Sequence, residues 1–163
     1  MAEPYPVRVF QALMAVGASL TGTRPGWGGP YLPAALTVFE GSRPADANIP
    51  VPALAFEEIG GESKIEGSVG GMVSVRHRME VRVTGYAAAT SGIGGEVWRL
   101  RLWDDFMTAF YASDKLYTGG VELISSFDVG PRETAIRGAA PRSEFEQRLT
   151  LHFFESKTLQ ATP

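Results

Sequence analysis

Between Val73 and Thr84 apolar and polar residues alternate without a break. Val73, Val75, His77, Met79, Val81 and Val83 fall on one side, and Ser74, Arg76, Arg78, Glu80, Arg82 and Thr84 on the other. A period of two predicts a strand of an antiparallel sheet with one covered face. The pattern returns near the end of the chain, where Phe145, Leu149, Leu151 and Phe153 alternate with Glu144, Glu146, Arg148, Thr150 and His152. This predicts a second strong strand, ending near Glu155. Shorter runs at Ala35–Glu40, Ala53–Ile59 and Val121–Phe127 also read as strands.

Two stretches follow the helical period instead. Val9/Phe10, Leu13, Val16/Gly17 and Leu20 recur at helical spacing after Pro6, a residue suited to a first turn. This helix carries so few charges that it calls for cover on more than one side. Glu96–Tyr111 is the clearer helix. On a helical wheel its apolar residues take more than half the circumference, leaving Arg101, Asp104, Asp105, Thr108 and Ala112 as the outward stripe. Covering one sheet needs a stripe of only about 100°. The excess calls for packing against the first helix or against another subunit.

Glycine and proline mark the connections. Thr21–Pro33 is a loop carrying Trp27 and Tyr31, aromatics that either tuck under the core or contact a partner. Gly60–Gly71 is bracketed by glycine pairs and joins two strands. It exceeds the roughly two to five residues of a tight hairpin, so it reads as a long loop or arm, ordered on binding or merely tolerated. Gly130–Pro141 reads as another long connection. The element order predicts an α+β fold: a mainly antiparallel β-sheet with an N-terminal helix and a central helix packed on one face. One domain, 1–163, with an ordered core of about 7–155, fits the length.

Composition narrows the function classes. A hydrophobic fraction of 44% and a charged fraction of 20% are ordinary for a globular chain. A net charge of -3 argues against tight binding of a phosphate backbone, which needs clustered Lys and Arg. The absence of cysteine excludes disulfides, thiolate catalysis and cysteine-ligated zinc. Val7–Leu20, interrupted by Arg8 and Gln11, is too short to span a bilayer, and the expectation is a soluble, unexported protein with no membrane partner.

Candidate chemistry is sparse. Gly92-Ile-Gly-Gly95 precedes the central helix but lacks the spacing of a dinucleotide or P-loop motif, and Glu96 beside it would repel phosphate. His77 and His152 are the only histidines. His77 lies on the apolar side of its strand, where a structural role is the simpler reading. Asp104-Asp105 falls on the polar side of its helix and reads as a solvated pair. The expectation is no catalytic set, no cofactor and no metal.

Surfaces stand out more than chemistry. Arg76, Arg78 and Arg82 form a ridge on one sheet face, and Glu144 and Glu146 share a parity on the last strand. These charges pair across the sheet if the strands are neighbours, or they dock on a partner. Arg99 sits inside the apolar arc of its helix, reaching to solvent or to a carboxylate across an interface. The candidate interface residues are therefore Arg76, Arg78, Arg82, Arg99, Glu144, Glu146, Trp27 and Tyr31.

In element order and size, from Val7 to Glu155, the chain resembles the tail terminator (tail completion) proteins of long-tailed bacteriophages. The last strand, Phe145-Glu-Gln-Arg-Leu-Thr-Leu-His-Phe153, following an arginine-containing loop, is similar to that group's. The resemblance implies a structural, non-enzymatic virion tail protein that forms a homo-oligomeric, hexameric ring. Its partners would be copies of itself, the tail tube protein and the head–tail connector, with DNA passing through the lumen without sequence-specific binding. Alternatives are a tail tube or other connector subunit and, in a different class, a small-ligand-binding α+β domain or enzyme with a pocket under the Trp27 loop near His77. A buried His77 beside a carboxylate in a concave pocket would favour that last class.

Overall fold

The computed structural model describes residues 3–20, 36–41, 49–89, 92–137 and 142–158. Trp27 and Tyr31 lie outside them. The described residues form an α+β fold with two helices and a five-stranded, mostly antiparallel sheet. The elements are α1 (Tyr5–Ala18), β1 (Thr37–Glu40), β2 (Ala53–Val69), β3 (Met72–Ala88), α2 (Gly95–Ala112), the two-residue strands β4 (Tyr117–Thr118) and β5 (Val121–Glu122), β6 (Ser126–Arg137) and β7 (Arg142–Thr158). Strand order across the large sheet is β1-β2-β3-β7-β6. Among the described residues only the β1–β2 pair is parallel.

β3 takes the centre, and its alternation gives it one buried face. Met79, Val81 and Val83 are buried on one face with Leu149, Leu151 and Phe153 of β7. Val9, Leu13 and Val16 of α1 and Leu102, Phe106, Met107 and Phe110 of α2 close the same cluster, so both helices cover that face. On the other face a small cluster of Ile49, Ala53, Ala55 and Tyr86, with Phe39 against it, marks the β1 end of the sheet.

Three sequence expectations need correction. Of the two forms expected for Gly60–Gly71, the arm holds and the loop does not. β2 continues through it to Val69 and pairs with β3 to the tip, where Gly70 and Gly71 make the whole turn. Their φ angles of 59° and 78° are those of a two-residue hairpin turn that favours glycine at both positions. The stretch reads as a loop because Gly61–Val69 is exposed throughout, so no buried face imposes an apolar period.

Second, Val121–Phe127 is not one strand, and the connection expected from Gly130 is strand through Arg137. β6 shifts register against β7 between Val129 and Arg132, and this bulge around Gly130-Pro131 breaks the alternation. Gln147, buried on β7, holds the bulge in place. It donates from Nε2 to the Gly130 carbonyl at 2.7 Å and accepts at Oε1 from Trp103 Nε1 at 3.0 Å. Third, Asp105 is only 5% exposed and does not share the solvated face with Asp104. It sits between Leu102 and Phe106 in the buried stripe of α2.

Candidate assembly surface

The sheet face away from the helices carries charges in rows that cross the strands. Facing residues in paired strands share a face: Arg78 stands between Glu62 of β2 and His152 of β7, Arg82 between Glu57 and Arg148, and Arg76 between Lys64 and Phe154. Arg82 Nη2 donates to Glu57 Oε2 at 2.5 Å, and its Nη1 lies 4.0 Å from Glu146 Oε2. The hydrogen bond to Glu57 raises the Arg82 pKa above its ordinary value, against the opposing effect of partial burial, and the charges of Glu57 and Glu146 add to the rise. Arg78 pairs with Glu80 on its own strand and, at 3.7 Å, with Glu62. Arg76 lies 2.9 Å from Glu66. On β7 opposite Arg78, His152 Nε2 is 2.8 Å from Asp128 Oδ2 of β6.

The arginine ridge is therefore real and is neutralised within the chain. Of the two β7 glutamates expected to meet it, Glu146 reaches Arg82. Glu144 is buried and accepts from Arg142 Nε at 2.9 Å instead. The main partners, Glu57, Glu62 and Glu66, come from β2. The sequence hides them because the stretch holding two of them is exposed on both faces and carries no apolar period. The signal available was charge order: Glu57, Glu62 and Glu66 run antiparallel to Arg82, Arg78 and Arg76.

Arg99 stands apart from this face. It is 8% exposed, and its Nη2 donates to Glu96 Oε2 at 2.9 Å, one turn earlier in α2. The expected reach to solvent is not made, because a carboxylate three residues back supplies the countercharge locally. The outward side of α2 does carry apolar residues: Val97, Leu100 and Tyr111 are exposed beside Asp104 and Thr108.

Beyond the helices β2, β3 and β7 run on together as an arm. β7 stays paired with β3 as far as Met72–Thr158. Near its tip Val69 is 83%, Ile65 67% and Met72 50% exposed, and Phe154 lies 51% exposed opposite Arg76. Ile65 faces Val75 on one side of the sheet, while Val69 and Met72 face each other on the other. The tip is thus apolar on both faces.

At the base of the arm His77 is buried and stacks on Phe153 at 4.9 Å. Its Nδ1 shares a hydrogen bond with Ser63 Oγ at 2.7 Å, and its Nε2 lies 3.0 Å from Glu155 Oε2, which Lys157 Nζ approaches at 3.3 Å. Side chains from β2, β3 and β7 are so joined where the helical layer stops. An open pocket of 330 Å³ borders them, lined by Ser63, His77, Phe153 and Arg78 among others. Next to it, between α1 and β2, runs a groove of 390 Å³ lined by Phe10, Met14, Phe56 and Met79, with Glu40, Glu57 and Glu58 at its rim. Among the described residues no cluster of three His, Cys, Asp or Glu is placed to hold a metal ion, and no helix is long and apolar enough to cross a membrane.

No protein-family model matches the chain, and no curated protein matches it in sequence. Its structure is similar to that of a sheath/tube terminator from an extracellular contractile injection system (PVC), in the extended state. The TM-score is 0.55 at 11% identity, covering 100% of this chain and 61% of that one. At that identity the likeness is one of fold.

Proposed function

We propose that this chain is a tail terminator: a structural subunit that forms a ring on the end of a phage-type tail tube, stops tube growth and presents a surface to the head-side connector. The observation that carries this reading is fold similarity, over the whole chain, to a sheath/tube terminator. The surface supports it. A charged face already paired within the subunit meets a partner by exchanging ion pairs, which fixes register more than it adds affinity. An arm with apolar residues on both faces supplies contact area that the isolated subunit leaves in water. DNA crossing the ring lumen meets a chain of net charge -3, which lets it pass without holding it.

The ring is tested by native mass spectrometry or light scattering of the chain, alone and with tail tubes. A terminator forms rings on its own or on tube ends. A chain that is monomeric in both conditions contradicts the reading. Reversing Arg76 and Arg78 together to Glu is expected to impair ring formation more than thermal stability. Surface ion pairs contribute only about 0–1 kcal/mol each to folding, but like charges facing a partner cost several. Unchanged assembly would make the ridge a solvated face.

A second reading rests on Ser63, His77 and Glu155. Hydroxyl, imidazole and carboxylate are in hydrogen-bond order beside an open pocket, the grouping of a nucleophilic hydrolase. Ser63 sits within a strand, not on the sharp strand–helix turn that exposes a nucleophile next to oxyanion donors, and so the structural role fits better. Hydrolysis of aryl esters by the purified chain, lost in both Ser63→Ala and His77→Ala, would establish the second reading.

A further inference from the structure

We propose that the tip of the β2–β3 arm of one subunit seats in the groove between α1 and β2 of the next, making a head-to-tail contact between copies of this chain. The inference rests on the ring reading above and names the surfaces that build the ring.

Two observations on separate parts of the molecule fit each other. The tip exposes Ile65, Val69 and Met72 on opposite faces of the sheet. An element apolar on both sides gains most from a groove, because a flat surface covers only one side. The groove has half-buried Phe10 and Met14 of α1 on one side and exposed Glu58 of β2 on the other, over a floor of buried Phe56 and Met79, so the tip meets an apolar wall and floor at once.

Charge supplies the second match. Lys64 is on the arm, and Glu40 and Glu58 are on the groove rim. Among the described residues none of the three makes an ion pair within its own chain, whereas the arginine ridge beside them is neutralised. A lysine arriving with the tip finds carboxylates without partners.

Geometry keeps the arm out of its own groove, so the match of tip and groove within one sequence points to a second copy as the occupant. From Ser63 to the turn the arm extends about 20 Å at roughly 3.4 Å per residue. It is held straight by pairing of β3 on both sides, to β2 and to β7. A paired three-stranded extension cannot fold back to the groove at its own base. Tip and groove are different patches, so the contact is heterologous and repeats from subunit to subunit until the ring closes.

The natural chain has no cysteine, which makes crosslinking clean. Val69→Cys at the tip and Gln11→Cys on the groove are mixed and oxidised, with tail tubes present. Val129→Cys on β6, exposed but away from the groove, replaces Gln11→Cys as the control. The 11–69 product is expected at ten-fold or more over the 129–69 product, and the double variant should give a ladder ending in one closed species. A charge swap adds an independent readout: Glu58→Lys should weaken the ring, and Lys64→Glu in the same chain should restore it. Rings that form without 11–69 crosslinks overturn the arm contact and leave the ring reading standing. A chain that stays monomeric with and without tubes overturns both.

Discussion

Phe106→Ala is expected to remove about 3–5 kcal/mol of folding free energy, the range for deleting a fully buried aromatic. Phe106 has no exposed surface and sits where α2 meets the sheet. Its ring meets the edge of Phe56 of β2 at 5.8 Å and stacks with Phe110, one turn along α2, at 6.2 Å. Alanine leaves a cavity between helix and sheet that neither element can close, because each is held by its other contacts. Against a typical total of about 5–15 kcal/mol, this is a large fraction. Denaturant unfolding should show a lower midpoint with an unchanged slope. A loss below about 1 kcal/mol would mean that α2 does not pack on the sheet through this residue.

Gly85→Val is expected to cost about 3 kcal/mol, the upper end of the range for overpacking. Intrinsic preference predicts the opposite sign, since valine favours strands over glycine on a scale spanning about 1 kcal/mol. Sterics win because Phe145, the residue opposite on β7, lays its ring over the glycine. A Cβ at position 85 would stand 2.0 Å from Phe145 Cε1 and 2.4 Å from Cζ. The ring is 1% exposed and has nowhere to move. Phe145→Ala alone should also be costly, yet Gly85→Val with Phe145→Ala should lose less than the sum, because the clash is gone. Additive losses would show that the ring does not rest on the glycine.

The two positions illustrate what the sequence makes legible. β3 and α2 are plain from the pattern because each buries one face, and burial writes a period into the residues. The α+β architecture and the helices on one sheet face follow from them. The arm leaves no such trace. Glu62, Lys64 and Glu66 alternate with Ser63, Ile65 and Gly67, so no apolar face repeats and the strand looks like a loop. β6 hides behind a bulge at Gly130-Pro131 that shifts its parity midway. Asp105 misleads for the reverse reason, as a charged residue within a buried stripe.

The surface was legible by half. Arg76, Arg78 and Arg82 share a face because the period of two along β3 puts them there, and Glu146 reaches Arg82 because β3 and β7 are neighbours. The remaining partners depended on β2 reaching the tip, which only the backbone pairing shows. The Ser63–His77–Glu155 cluster joins residues 14 and 78 positions apart, through register alone. No local motif announces it.

The central claim, that the chain ends a tail tube, is tested most directly by growing tubes from purified tube protein with and without it and imaging them by electron microscopy. With the chain added, tubes should stop at a shorter, narrower range of lengths, each carrying a ring density at one end. Tubes of unchanged length with bare ends, or with the chain scattered along their sides, would contradict the claim.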